Sequence, residues 1–370
     1  MMANPLTTNS KQMSEHSVDF FRGKTMKNSI GLAPLTNLQS HADGSLSDEE
    51  FHWLTMRAKG GFGLTMTAAC HVQACGQGFA GQLGIYSGHH IPGLSRLAKA
   101  IRAEGSLAIV QLHHAGIRSP SDVIGQAPVG PSKDEERGAR ELSLAEVAQL
   151  REDFIIAAQR AQKAGFDGVE LHGAHNYIIC QFLSGEYNRR TDAYGGSLEN
   201  RMRLLLEIIA GIRQRCGEHF LIGARLSPEK FGIAIAEAIT TVQRLFDEEI
   251  IDFLDLSLRD AFKEPDEEKY QGRLLMSWFT ELNRGRVKLG AAGSIRSAKD
   301  VAFCLQNGLD FVLIGKAGIL HHDFPKLIKN KADFSATPLP VSRDYLHKEG
   351  LSEAFINYLA NSWQGFVAAE

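Results

Sequence analysis

Val169-Glu170-Leu171-His172-Gly173-Ala174-His175-Asn176-Tyr177 ends an apolar run and at once sets two imidazoles and a phenol within six residues. The run Phe166-Asp167-Gly168-Val169-Glu170-Leu171 reads as a short strand, so His172, His175 and Tyr177 fall at its carboxyl end and in the turn that follows. In a parallel α/β protein that edge is where ligands bind. Two neutral imidazoles can grip one anionic or carbonyl oxygen, and a nearby phenol can deliver a proton. Two plainer readings stand beside this one. The three residues could simply open a helix, or the histidines could be metal ligands. No suitably placed third ligand stands nearby and the spacing matches no metal signature, so no metal is expected.

Working outward, the same rhythm repeats. Short apolar, β-branched runs fall at Ser29–Ala33, Phe62–Thr67, Leu107–Leu112, Gly168–His172, Phe220–Leu226, Asp252–Leu256, Val287–Leu289 and Phe311–Ile314. Between them lie longer amphipathic segments. Ser143-Leu144-Ala145-Glu146 is a capping box that opens a helix to Lys163, ending at Gly165. Ser197-Leu198-Glu199-Asn200 opens another, with Leu204, Leu205, Ile208, Ile209 and Ile212 at helical spacing. Asp300, Val301 and Phe303 belong to a short helix that stops at Asn307-Gly308. Eight such units close into a (β/α)8 barrel. The competitor is a doubly wound sheet, which more often announces itself by GxGxxG after its first strand; that motif is absent. The barrel is expected over 18–330. Residues 331–370, with Pro338, Pro340 and an amphipathic stretch from Ser352 to Phe366, read as a tail packed on the barrel or on a neighbouring subunit.

Bulk properties narrow the partners. A chain of 370 residues with 44% hydrophobic composition can bury a large core, and a net charge of -3 with mixed signs gives nucleic acid or an anionic membrane little to hold. The longest apolar runs fall short of a bilayer span. Met1-Met2-Ala3-Asn4-Pro5 lacks the basic and apolar regions of a secretory signal. Five scattered cysteines, Cys70, Cys75, Cys180, Cys216 and Cys304, fit a reducing compartment, so a cytoplasmic enzyme acting on small molecules is expected, with a homo-oligomer open. Cys70 and Cys75 read as loop residues.

Polar residues recur where strands stop. Ala33-Pro34-Leu35-Thr36-Asn37 follows the first strand and Thr67-Ala68 ends the second. Gln111-Leu112-His113-His114-Ala115-Gly116 ends the third, and the fifth offers Arg225. The seventh runs into Gly290-Ala291-Ala292-Gly293-Ser294 and the eighth into Gly315-Lys316-Ala317-Gly318. Loops after strands seven and eight are a barrel's usual phosphate site, using glycine N–H groups and helix N-termini. A phosphorylated ligand held there would point its other end at the polar ring. The connections 113–142 and 257–272 are long enough to be binding loops on the same face.

These stretches resemble the Old Yellow Enzyme family of FMN-dependent ene-reductases, also known as NADH:flavin oxidoreductases. The similarity is carried by Ala33 to Thr36, Gln111 to Gly116, Val169 to Tyr177 and, most specifically, Asn188-Arg189-Arg190-Thr191-Asp192-Ala193-Tyr194-Gly195-Gly196-Ser197-Leu198-Glu199-Asn200-Arg201. Arg225-Leu226-Ser227, Gly293 and Gly315 continue it in the family's order.

The resemblance implies a barrel with non-covalent FMN in its mouth, reduced by NAD(P)H and reoxidised by an electron-poor alkene, an α,β-unsaturated carbonyl or a nitroalkene. It implies FMN contacts from Ala33, Pro34, Leu35, Thr36, Ala68, Gln111, Arg225, Ala292, Gly293, Gly315 and Lys316. Thr36 would face the flavin O4/N5 edge, Gln111 and Arg225 the pyrimidine side, and Gly293, Gly315 and Lys316 the phosphate. His172 and His175 would bind the substrate oxygen, and Tyr177 would protonate carbon. Three positions depart from the pattern: Thr36 where one branch has cysteine, Asn37 where another has a basic residue, and Lys316 where arginine usually meets phosphate. No cysteine cluster follows the barrel in the sequence, so the iron–sulfur domains of larger relatives are not expected. Two other functions remain open at this point: reduction of nitro compounds or quinones, which need no Tyr177, and a flavin-binding partner protein without turnover.

Overall fold

Eight parallel strands pair in chain order and close on themselves, the eighth returning to the first. They are β1 (Ile30–Leu32), β2 (Leu64–His71), β3 (Leu107–His113), β4 (Gly168–Gly173), β5 (Leu221–Leu226), β6 (Phe253–Arg259), β7 (Lys288–Gly293) and β8 (Phe311–Ile314). The structure, a computed structural model, describes residues 16–369; the stretch Met1 to Pro5, read above for a leader, lies outside them. The eight sequence-expected strands are these eight, and the architecture is the (β/α)8 barrel. Helices cover the outside: α1 (Asp48–Lys59), α2 (Ile91–Ala103), α3 (Leu144–Lys163), α4 (Leu198–Cys216), α5 (Ile235–Asp247), α6 (Ser277–Thr280), α7 (Ala298–Gln306) and α8 (Phe324–Asn330). Covered on both faces, strands β2 to β5 are buried throughout, which is why they read as unbroken apolar runs.

Local chemistry sets the helix ends. Ser143 Oγ accepts from Glu146 N at 3.3 Å, and Glu146 Oε2 accepts from Ser143 N at 2.9 Å, so two otherwise orphaned donors are satisfied at the start of α3. Ser197 caps α4 through Asn200 N, and its inward stripe Leu204, Leu205, Ile208, Ile209 and Ile212 is buried. Gly217, at φ 78°, stops it in a conformation an L side chain avoids.

The amino-terminal end of the barrel is plugged. A hairpin of Val18–Phe20 and Lys24–Met26 sets Phe20 5.8 Å from the Phe253 ring and 6.5 Å from Phe311. Those two rings stand 6.0 Å apart, edge to face. They fit because β5 and β7 carry glycines: a Cβ at Gly223 would lie 2.1 Å from Phe253, and one at Gly290 2.3 Å from Phe311.

Three expectations are corrected. Strand β2 runs on to His71 through a register shift between Met66 and Ala69 instead of stopping near Ala68, so Cys70 is a buried strand residue, not a loop residue. Cys75, by contrast, sits between elements as expected, in a short 3-10 turn, Ala74–Gly76. Strand β6 extends to Arg259, so the connection read as starting at Ser257 begins later.

The tail forms α9 (Arg343–Lys348) and α10 (Glu353–Ser362). Phe355 packs edge-on to Trp53 of α1 at 5.4 Å, and Tyr345 donates to Leu320 O at 2.8 Å. Val341 N then bonds Phe366 O at 3.0 Å, which bends the last described residues over the carboxyl end of the barrel.

Candidate active site

The turn after β4 brings the expected trio together. Ring centroids of His172 and His175 lie 5.0 Å apart, His172 and Tyr177 4.8 Å, and His175 and Tyr177 6.4 Å. A fourth ring joins them: His113, at the end of β3, stands 4.3 Å from Tyr177 and 5.6 Å from His172. His175 and Asn176 both adopt left-handed backbone, φ 61° and 58°, which lets a short turn project His175 and Tyr177 toward one space. Gln181 holds the turn, donating to Asn176 O at 2.6 Å and Ala115 O at 3.2 Å and accepting from Ile117 N at 3.1 Å.

Burial and neighbours decide the charge states. Burial pushes the pKa of His172 well below the usual histidine value and that of His175 down to about 3; the neighbouring Arg225 and Arg118 charges add to both shifts. His113 is likewise held low by burial. All three are neutral at pH 7. His172 Nδ1 accepts from Ala174 N at 3.3 Å, so its proton is assigned to Nε2, which is left as a donor. His175 Nε2 pairs with Ser257 Oγ at 2.6 Å. Burial raises the Tyr177 pKa, keeping the phenol protonated, while Arg118 lies over its ring at 4.9 Å and opposes the shift. Among the described residues the Tyr177 hydroxyl has no hydrogen-bond partner, so it is a donor without a protein acceptor.

The stretch from Asn188 to Arg201 lies away from this cluster and works as a clamp. Asn188 donates to Phe182 O and Tyr194 O, each at 2.7 Å. Arg190 reaches Pro131 O at 2.9 Å and Leu142 O at 2.5 Å while pairing with Asp192 at 2.6 Å. It ties the long β3–α3 connection to the chain that carries the histidine turn. None of its residues lines the cavity described next.

A cavity of about 990 Å³ opens at the carboxyl ends of the strands. Of the residues singled out from sequence, Ala33, Pro34, Leu35, His175, Arg225, Ala292, Gly293, Gly315 and Lys316 line it. Thr36, Ala68, Gln111, His172 and Tyr177 do not; Ala68, Gln111 and His172 are buried beside it, and Thr36 and Tyr177 are half-buried. The tail closes one wall with Trp363 and Phe366, and the Trp363 ring takes the Lys316 ammonium at 5.2 Å. Lys316 has its pKa lowered by burial and by the charge of Arg296 beside it, and no carboxylate pairs with either among the described residues. Two adjacent cations without a counter-ion suit a phosphate. A Cβ built on Gly315 would meet nothing closer than Leu35 at 3.8 Å, so this glycine leaves open space for a ligand. Gly293 differs: a Cβ there would lie 2.9 Å from Ala261 N, so backbone packing alone requires the glycine. The volume, the unpaired cations and the apolar Ala33-Pro34-Leu35 wall fit a flavin mononucleotide.

Beneath Arg225 lie groups that periodicity could not flag. Asp255 Oδ2 lies 2.9 Å from Arg225 Nε, off the N–H line, and Glu170 Oε1 accepts from Gln111 Nε2 at 2.7 Å. Both carboxyls are completely buried. In sequence each is one acidic residue in an apolar strand, and only the barrel's closure puts them together. His113 stood inside a quoted motif but without a role. Trp363 gave no signal, because its approach to Lys316 depends on the path of the tail.

A model of the NADH:flavin oxidoreductase / NADH oxidase family matches residues 20–333. A probable NADH-dependent flavin oxidoreductase of Bacillus subtilis is 40% identical over 308 residues, covering 80% of this chain and 82% of the relative. An NADH:acrylate oxidoreductase of Vibrio harveyi is 30% identical over 368 residues, covering 90% of this chain and 36% of that protein. The solved structure of an Old Yellow Enzyme homologue from Zymomonas mobilis matches with a TM-score of 0.78 at 26% identity, covering 92% of this chain and 99% of that one.

Proposed function

The chain belongs to the NADH:flavin oxidoreductase / NADH oxidase family, and on that premise we propose that it reduces electron-poor alkenes at the His172–His175–Tyr177 cluster. Membership makes it an NAD(P)H-dependent flavin enzyme with FMN as its cofactor. When bound, FMN supplies hydride transfer between the nicotinamide and an acceptor carbon. The acceptor, and the role of each residue, are our reading.

Lys316 and Arg296 would hold the FMN phosphate, with the N–H groups at Gly293 and Gly315. Ala33, Pro34, Leu35 and Ala292 would form the cavity wall against the ring, with Thr36 and Ala68 behind it, and Arg225, backed by the buried Gln111, would take the pyrimidine side. His172 and His175, both neutral, donate N–H to the substrate's carbonyl or nitro oxygen. That oxygen becomes more basic as the β-carbon is reduced, so these bonds strengthen along the reaction and lower its barrier. Tyr177 gives its phenolic proton to the α-carbon. A phenol whose pKa is raised is a weak acid toward water, yet a carbanionic carbon is far more basic.

The observation that carries this reading is a protonated, unpartnered phenol beside neutral imidazoles. A quinone or nitro acceptor, protonated on oxygen, would need no such donor. The Vibrio harveyi relative is named for acrylate, itself an electron-poor alkene, which lends further support. The test is anaerobic: reduce the flavoprotein with NADH, mix it with a cyclic enone, and analyse the product. One saturated ketone per flavin reoxidised is expected. Reoxidation by quinone but not by enones or nitroalkenes would overturn the proposal.

A further inference from the structure

Two carboxyl groups sit in the middle of this barrel with nothing to do in the chemistry above. Glu170 on β4 and Asp255 on β6 are completely buried. One guanidinium, Arg225 on β5, stands in register with Asp255. Among the described residues, Glu170 Oε2 and both Asp255 oxygens lack hydrogen-bond partners, and Arg225 Nε lies near Asp255 without a well-directed bond. Around the pair, β3 offers the Gln111 amide, β5 the Arg225 guanidinium and β7 only Gly290, in register with Asp255. No other ionisable side chain acts on either carboxyl among the described residues.

Charge counting makes this arrangement unusual. With both carboxyls ionised, the trio would carry a net negative charge in a dry interior, behind the Arg225 that lines the cavity proposed for a flavin, a group that gains negative charge on reduction. Buried ions without full hydrogen bonding are costly, and such groups shed charge by binding protons. Burial, then the Asp255 charge, raises the pKa of Glu170; burial also raises that of Asp255, with Arg225 opposing.

We infer that Glu170 and Asp255 are positioning residues that trade a proton for a counter-ion: with the oxidised cofactor Glu170 holds a proton and the Asp255 carboxylate balances Arg225, and on reduction Arg225 turns its charge to the flavin while Asp255 takes a proton from solvent. This rests on Arg225 facing the flavin's pyrimidine side. The balance is simple. NAD(P)H delivers two electrons and one proton together, oxidised nicotinamide leaves, and one further proton passes from water to the Asp255 carboxylate. A carboxylate that loses its counter-ion inside a low-dielectric site becomes more basic, so the proton follows the charge. The device keeps the buried trio and the flavin at constant net charge, which favours reduction.

The test counts protons. The FMN-loaded protein is reduced anaerobically with one equivalent of NADH at pH 7.5 in weakly buffered indicator dye. Wild type should take up about one proton per flavin beyond that carried by NADH. Glu170→Gln, which mimics the protonated acid, should keep that uptake. Asp255→Asn should lose most of it, and its reduction potential should fall about half as steeply with pH. A wild type that takes up no proton overturns the inference by itself, whether or not the variants bind flavin. Equal uptake by wild type and Asp255→Asn also overturns it. The underlying reading fails separately: if Arg225→Gln leaves FMN affinity and reduction potential unchanged, Arg225 is not at the flavin. If Arg225→Gln shifts them while Asp255→Asn keeps the wild-type proton count, only the proton exchange is wrong.

Discussion

The two ends of this barrel are built from opposite materials. At the amino-terminal end Phe20, Phe253 and Phe311 meet ring to ring, and two glycines on neighbouring strands make the room. At the carboxyl end the strands stop in His113, His172 and Arg225, with His175 and Tyr177 in the turn beyond. One end is dry and apolar and closes the core. The other is polar, partly open and carries groups whose protonation is set by burial. Stability and chemistry can therefore be changed separately.

The largest effect is expected at the chemical end. Tyr177→Phe should slow alkene reduction by about 10²–10⁴-fold, while flavin reduction by NAD(P)H and folding stability stay close to wild type. Stopped-flow measurement of each half-reaction checks this; an alkene step at the wild-type rate removes Tyr177 as the proton donor. At the other end, Phe20→Ala should cost about 3–5 kcal/mol of stability, read by denaturant unfolding, while each remaining folded, FMN-loaded molecule turns over normally. If Phe20→Ala instead impaired turnover per loaded molecule, the two ends would not be independent.

Acid should act on the polar end first. Burial lowers the pKa of His71 to about 4 and of His114 and His175 to about 3, with His113 and His172 also held low. Above the unfolded value near 6.5 these groups are neutral in both states and add no pH dependence. As pH falls from about 6.5 toward 4, the unfolded chain binds protons that the folded chain refuses, so stability drops, by up to about 1.4 kcal/mol per pH unit for each such proton. The raised pKa values of Glu170 and Asp255 act with the other sign, weakening the fold as pH rises. With more histidines than carboxyls involved, the melting temperature of the protein should fall between pH 6.5 and 4. A melting temperature that held or rose over that range would contradict the assigned neutral imidazoles. The smallest effect belongs to the tail. Trp363→Ala removes a cation–π contact with Lys316 and should weaken FMN binding by about 2–5-fold, the equivalent of roughly 0.5–1 kcal/mol. An unchanged FMN titration would leave the tail without a part in the site.

Most of the fold was legible in sequence because its signals are local. Apolar runs mark the strands, and Ser143 with Glu146 marks a helix start whether or not the rest of the protein exists. The same holds for His172, His175 and Tyr177, which lie within six residues at the end of β4 and in the turn after it. What could not be read depends on closure. Glu170 and Asp255 are 85 residues apart and become neighbours of Arg225 only when β4, β5 and β6 lie side by side. Cys70 reads as a loop residue because the apolar pattern weakens before it, while a register shift lets β2 run on to His71. The motif from Asn188 to Arg201 was the strongest pointer to the family, yet its side chains hold backbone together and stay out of the cavity.

The central claim is that His172 and His175 form the oxygen site over a bound flavin. A para-substituted phenol tests it directly, since its phenolate carries the charge that reduction of an enone would develop on oxygen. Titrated into the oxidised holoprotein, it should bind and raise a long-wavelength charge-transfer band. In the His172→Ala, His175→Ala double variant the band should vanish and the phenol should bind far more weakly, with flavin still present. Unchanged phenol affinity per flavin-loaded molecule would contradict the account.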